Sequence, residues 1–486
     1  MIESLVLLPT IAAALVFATR SRRLREGCLL GTAVAHALLV GALAASPPAP
    51  SRRAWLGLDP LGLLFLVIVS SLFLLVSVYT VGYLRREPEH ARGDLEEAFL
   101  FSNEPAPVFV ACLLLFLATM SLVTLSRHLG LLWIAIEATT LASAPLVYFH
   151  RHHRSLEATW KYLLVCSVGI AFALLGNVAL VGAAAGSVTS ELGLDELLRA
   201  APRLDRRWLE AAFLLFLVGY GTKMGLAPMH TWLPDAHSEA PSPVSALLSG
   251  ALLICAFLGI LRAQQVLDAA GAHEVAASAL RGFGIFSMAV GTLFIVRQRD
   301  FKRMLAYSSV EHMGIVALGV GLGGAAAFGA MLHALSHAFA KAALFLVAGN
   351  LLARYASKRA DDVRGALEAQ PASAALWLAG LLAIAGVPPS PLFLSEFAIL
   401  REALAVAPWT AAAFLALLAI AFAAMLDVGL PMALGRAPAG ISRDPEPATA
   451  LGSPAALALL LLVLGLALPL PVRALLEGAA RVIGGG

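Results

Sequence analysis

Charge is what this sequence has least of. Asp, Glu, Lys and Arg make up 13% of its 486 residues, against about 25% in a soluble domain, so a water-facing globular fold is excluded for most of the chain. Cysteine is almost as scarce. The four present (Cys28, Cys112, Cys166, Cys255) lie singly in apolar segments, without the paired spacing of zinc or iron–sulfur ligands. No metal, cofactor or redox centre is therefore expected in this chain. The net charge of +3 is spread over short loops, which leaves no basic face for nucleic acid. Lysine is the rarest charge: of 34 basic residues only Lys161, Lys223, Lys302, Lys341 and Lys358 are lysine.

What is abundant is apolar length. Hydrophobic residues make up 60% of the chain and the mean hydropathy is +0.85. Many apolar runs reach the 18 residues or more that a membrane-spanning helix needs. They predict an all-α polytopic membrane protein of about 14 transmembrane helices, near 2–19, 27–45, 56–83, 105–126, 128–149, 160–186, 208–227, 243–262, 275–298, 303–323, 325–353, 372–395, 407–430 and 453–472. Residues 2–19 begin with Ile-Glu rather than a basic region, so a retained first helix is expected rather than a cleaved leader. The odd-numbered loops hold the larger share of the arginines, including Arg20–Arg25, Arg85, Arg86, Arg151, Arg154, Arg297–Arg303 and Arg354–Arg364. By the positive-inside rule both termini then lie outside, in a bacterial-type inner membrane. Loop six (Arg199, Arg203, Arg206, Arg207) runs against this and is diluted by Glu191, Asp195, Glu196 and Asp205. The segment 84–104 is the longest polar connection and reads as a surface loop.

Two hydrophobic segments are broken by proline, Gly225–Pro243 and Gly386-Val-Pro-Pro-Ser-Pro-Leu-Phe-Leu-Ser-Glu396. Paired interruptions in matching positions point to inverted repeats with an ion site near the midplane. The expected organisation is an N-terminal three-helix segment and loop (1–104), a first repeat with a broken seventh helix (105–262), a second, inverted repeat with a broken twelfth helix (275–430), and a C-terminal loop and last helix (431–486).

Near these breaks sit ionisable residues at membrane depth: Glu137, Lys223, Lys341 and Glu396. Burying such a charge costs several kcal/mol, so each marks a functional position unless a partner explains it. Lysine at depth is informative because a buried lysine releases its proton readily and arginine does not. His333, His337 and Lys341 recur at i, i+4, i+8, on one helix face. Together these six residues are the candidate proton-transfer groups. His230, His237, Glu311, His312 and Asp427 are secondary candidates. The plainer readings are a structural Glu137–Lys223 bridge, backbone-bonded histidines and, for Asp427, a side chain reaching an interface. His36 reads as packed.

The stretch Gly219-Tyr-Gly-Thr-Lys-Met-Gly-Leu-Ala-Pro-Met-His-Thr-Trp-Leu-Pro-Asp-Ala-His237 resembles the core motif of the antiporter-like subunits of respiratory complex I, Mrp-type cation/proton antiporters and group 4 NiFe hydrogenases. Ile136-Glu-Ala-Thr-Thr-Leu-Ala-Ser-Ala-Pro-Leu-Val, Arg154-Ser-Leu-Glu-Ala-Thr-Trp-Lys-Tyr and Met304-Leu-Ala-Tyr-Ser-Ser-Val-Glu-His-Met-Gly look most like hydrogenase-4 component F. The resemblance implies a proton-translocating subunit of an energy-converting redox complex, with redox chemistry in partner subunits. A sodium–proton antiporter subunit and a non-conducting anchor are the rival readings. It also implies that Glu137 is the fifth-helix glutamate, Lys223 the lysine of the broken seventh helix, Lys341 the central lysine and Glu396 the twelfth-helix acid. One position departs: where many members carry an eighth-helix lysine, this sequence has Ile254.

Overall fold

The computed structural model describes residues 1–47, 55–87, 92–93, 100–185, 192–441, 443 and 445–484. Its helices are α1 (Ser4–Ala18), α2 (Arg22–Ala45), α3 (Pro60–Arg86), α4 (Ala106–Leu125), α5 (Leu129–Val147), α6 (His153–Ala183), α7 (Leu194–Ala200), α8 (Arg206–Met224), α9 (Trp232–Glu239), α10 (Ser242–Leu247), α11 (Leu253–Ala269), α12 (His273–Ile295), α13 (Phe301–Leu322), α14 (Gly324–Tyr355), α15 (Ala366–Ala369), α16 (Pro371–Ile384), α17 (Pro391–Val406), α18 (Pro408–Leu434), α19 (Ala448–Leu466) and α20 (Leu470–Val482). A two-residue antiparallel pair, Arg92–Gly93 with Leu100–Phe101, lies between α3 and α4. Most of the remaining 84–104 connection, and Glu191 of loop six, lie outside the described residues.

Twelve helical stretches among the described residues are long and apolar enough to cross a membrane. The expected fourteen are not reached by that measure. The first predicted span is the 15-residue α1, apolar but short. The span at 372–395 is split at its break into α16 and α17. The last predicted span is followed by the separate helix α20, which carries Arg473, Glu477 and Arg481 and was read only as tail.

The elements that position the site begin where the sequence supplies caps. Asp59 accepts from the Gly62 N–H at 2.8 Å with Pro60 in the first turn of α3. Asp205 caps α8 in the same way. α8 stops at Gly225, whose φ of 86° suits glycine alone among common residues, and α17 follows Gly386 at φ 69°. Backbone freed by each break is satisfied inside the protein, as membrane depth requires. The Ser287 hydroxyl accepts from the Ala227 N–H at 3.0 Å, and Trp232 Nε1 donates to the Thr222 carbonyl at 2.8 Å. At the second break Ser390 donates to the Ala383 carbonyl at 2.9 Å and caps α17.

Between α10 and α11 the chain forms a π-helical turn, Leu248–Leu252. The 242–269 stretch and α14 are buried along the whole of their apolar windows, and α13 over 94% of its own. These three elements form the centre around which the others are arranged. Glycine and alanine let neighbours approach closely in apolar surroundings, as at Gly219, whose missing Cβ leaves room for the Ala173 backbone between α8 and α6.

Candidate functional site

Lys223, on the last turn of α8, is fully buried. Its ammonium donates to Thr140 Oγ1 at 2.6 Å and Tyr162 OH at 2.7 Å. Thr140 in turn donates to Glu137 Oε2 at 3.3 Å, and Ser167 donates to Glu137 Oε1 at 3.0 Å. No direct ion pair joins Glu137 to Lys223; the Thr140 hydroxyl stands between them. Glu137 is only half-buried and its partner Ser167 is exposed, so this carboxylate reaches the flank of the molecule. Tyr162 OH also shares a hydrogen with Ser143 Oγ at 2.7 Å.

Lys341, on α14, is equally buried and donates to the Leu305 carbonyl at 2.6 Å and to Ser308 Oγ. The next residue, Ser309, bonds Ser249 of the π turn at 2.8 Å. Ile254 lies just beyond that turn, fully buried among apolar neighbours. The polar connection nearest to it in the chain is therefore a serine pair rather than a lysine.

Beyond Lys341 the lining changes from hydroxyls to imidazoles. The His312 ring lies 5.2 Å from that of His337 and 5.0 Å from that of His333, between centroids. His312 Nδ1 and His333 Nε2 are 2.8 Å apart, and His333 Nδ1 is 2.8 Å from Ser395 Oγ. Ligand-type atoms of His312, His333 and Glu396 lie within 4.8 Å of one another. The structure thus groups four of the expected residues (Lys341, His337, His333, Glu396) with the secondary candidate His312. Glu311 is buried within electrostatic reach of Lys341 and Glu396.

Others fall elsewhere. His237 is buried against the Phe345 ring at 5.1 Å, with neither ring nitrogen bonded. His230 lies among Phe294 and Tyr307. Asp427 is on the exposed side of α18, outside these contacts. His36 is packed as expected, bonded to Ser70 and Ser121 at 2.9 Å each.

Two further polar groupings were not foreseen. A cavity of about 390 Å³ is lined by Glu239, Lys302 and Lys358 among others. Lys302 donates there to the Ser238 and Ala240 carbonyls at 3.1 and 2.7 Å, closing the C-terminal end of α9. In the second, Asp59 is held by Arg127 and by the buried Arg262. Burial alone would disfavour its charge, but Arg262, the Gly62 N–H and Arg127 outweigh it and keep the carboxyl well below the usual range.

Residues 126–423 match the family described as "NADH:quinone oxidoreductase/Mrp antiporter, TM". The chain belongs to this family. It is an antiporter-like membrane subunit, multi-pass and of the type found in complex I, hydrogenase-4 and Mrp assemblies. It is 39% identical over 320 residues to the hydrogenase-4 component F homolog of Methylacidiphilum infernorum, an alignment covering 65% of each chain. It is 31% identical over 360 residues to NADH-quinone oxidoreductase subunit N of Desulforudis audaxviator, covering 74% of this chain and 68% of that one. The fold matches a chain of the membrane-bound sulfane sulfur reductase, an archaeal respiratory membrane complex, with TM-score 0.87 at 21% identity over 100% of this chain and 98% of that one. The antiporter-like relatives are subunits of multi-subunit membrane complexes.

Within this antiporter-like chain, sequence reasoning missed Thr140, Tyr162, Ser308, Ser309, Ser249 and Ser395. The usable signal was adjacency: Thr140 lies one helical turn from Glu137, and the Ser308–Ser309 pair precedes the Glu311–His312 pair in one stretch.

Proposed function

We propose that this chain translocates protons as the membrane subunit of an energy-converting redox complex of the group 4 hydrogenase or formate hydrogenlyase kind, with the electron-carrying centres in partner subunits. The observation that carries this reading is the hydroxyl-bridged Glu137–Thr140–Lys223 triad, buried at one end and reaching the flank at the other. A neighbour's change of charge acts first on Glu137. The two contacts, 2.6 and 3.3 Å, keep carboxylate and ammonium within about 6 Å. There, unit charges interact by roughly 3 kcal/mol at an effective dielectric near 20, about a hundredfold in a proton equilibrium.

The proton then passes from Lys223 toward Lys341, with the Ser249–Ser309 pair near the step that Ile254 lacks, and on through His337, His312 and His333 to Glu396. The expected topology, two inverted repeats with both termini outside, places the Lys302 cavity on the inner side and release near Glu396 on the outer side. The repeats are those bounded at 105–262 and 275–430. Resemblance to hydrogenase-4 component F supports the redox partner.

The test is Lys223→Ala in the assembled complex, reconstituted in vesicles with a pH dye and its electron donor. Proton transport per electron is expected to collapse; unchanged transport would overturn the reading. The family also includes Mrp antiporters, and sodium-driven proton movement in vesicles without any donor would move the assignment to secondary transport.

A further inference from the structure

Three helices bring His312 (α13), His333 (α14) and Glu396 (α17) together below the second break, all buried. The hydrogen bonds on the far side of each ring decide how the imidazoles face. Ser395 has one hydrogen, and the Leu392 carbonyl, which can only accept, takes it at 2.6 Å. Ser395 Oγ therefore receives the N–H of His333 Nδ1 at 2.8 Å. That leaves a lone pair on His333 Nε2 when the ring is neutral. The Ile384 carbonyl acts as an acceptor for the His312 ring, so the His312 N–H is drawn toward it. His312 Nδ1, 2.8 Å from His333 Nε2, then also presents a lone pair.

Two lone pairs facing across 2.8 Å beside a carboxyl group form a hole for a cation. A shared proton fills it at the observed separation. A divalent metal ion fills it better in one respect: a metal-bound histidine is neutral, with its other N–H tied to a hydroxyl or carbonyl, and both rings are held in that way here. Two imidazoles and one carboxylate, with a fourth position for water, are zinc-type donors. The geometry points to a binding site for a zinc-class divalent cation built from His312 Nδ1, His333 Nε2 and a Glu396 carboxylate oxygen. Zn–N bonds of about 2.0 Å set the tetrahedral edge at about 3.3 Å, so the rings part by about half an ångström on binding. Gly386 leaves the space into which the Glu396 carboxyl extends, since a Cβ there would strike Oε2. Glu311, nearby, supplies a second acid to balance the ion.

The complex carrying this chain is purified, treated with a chelator, exposed to Zn²⁺ and desalted, beside a complex bearing H312Q and H333Q together. The intact protein is expected to retain about one zinc per chain more than the variant, and its zinc X-ray absorption is expected to show imidazole scattering near 2.0 Å. Equal retention in both complexes, or zinc held without imidazole, would mean adventitious surface zinc and overturn the site. Where the variant fails to assemble, the absorption spectrum of the intact complex decides by itself. Either result is independent of proton transport.

Discussion

Lys223 and Lys341 are both fully buried, yet they are surrounded differently. Lys223 meets two hydroxyls, one of which leads to a carboxylate at the flank of the molecule. Lys341 meets a backbone carbonyl and a serine in the most enclosed part of the bundle, and imidazoles follow. A hydroxyl rotates and passes a hydrogen bond along without holding charge, whereas an imidazole can carry a proton near neutrality. The first site is thus suited to sensing an outside charge, and the second to holding and handing on a proton.

The sharpest way to break the comparison is Lys341→Ala beside Lys223→Ala. Acting in series, each is expected to abolish proton transport per electron, read by pH dye against electron flux. Loss in only one of them would show that the two sites are not parts of one path. A smaller effect is expected at the bridge. Thr140→Val should slow transport about tenfold, the worth of one charge-assisted hydrogen bond of roughly 1.4 kcal/mol, and Thr140→Ser should restore it. A full rate in the valine variant would remove the hydroxyl from the path.

The two breaks offer a matched pair. Gly225→Ala and Gly386→Ala should each lower thermal stability, by about 1 kcal/mol or more, because alanine is strained at positive φ. Only Gly386→Ala crowds the Glu396 carboxyl; the added methyl at position 225 meets Leu233. A several-fold drop in transport beyond the stability loss is expected for position 386 alone, and equal transport in the two variants would argue against Glu396.

The least effect on transport is expected from Asp59→Asn. Breaking a buried pair typically costs roughly 3–5 kcal/mol, so the complex should melt earlier in detergent while the protons moved per electron stay the same. The sign with pH follows from the depressed carboxyl: Asp59 contributes its full stabilisation above the ordinary carboxylate range and loses it as acid carries the pH down through that range and below. Equal melting of wild type and variant at neutral pH would refute this.

The membrane character of the fold, and its lysines and acids, were legible because a charge stands out in an apolar run, and the broken helices because Gly and Pro announce themselves. Serine, threonine and tyrosine do not stand out. In helices most hydroxyls bond their own backbone, as Thr139, Ser143 and Thr222 do here, so nothing in the sequence separates Thr140 from its neighbours. The meeting of His312 with His333 depends on how α13 packs on α14, which one helix's periodicity cannot state. The direct Glu137–Lys223 contact was expected from their chemistry alone, and the intervening hydroxyl emerges only from the placement of α5 against α8. The span count was miscounted at 372–395 because hydropathy averages across the break.

The π turn at Leu248–Leu252 fits one more residue into its stretch than an α-helix would hold. Deleting a single residue there would let the segment relax to α-helix and rotate everything beyond it by about 100°. Arg262, seated further along the same helix, would swing off Asp59, and Ser249 would no longer line up with Ser309. Length in this segment is therefore constrained more tightly than composition. Exchanges among Leu, Ile and Met there should pass almost unnoticed, whereas the loss of any one residue should not.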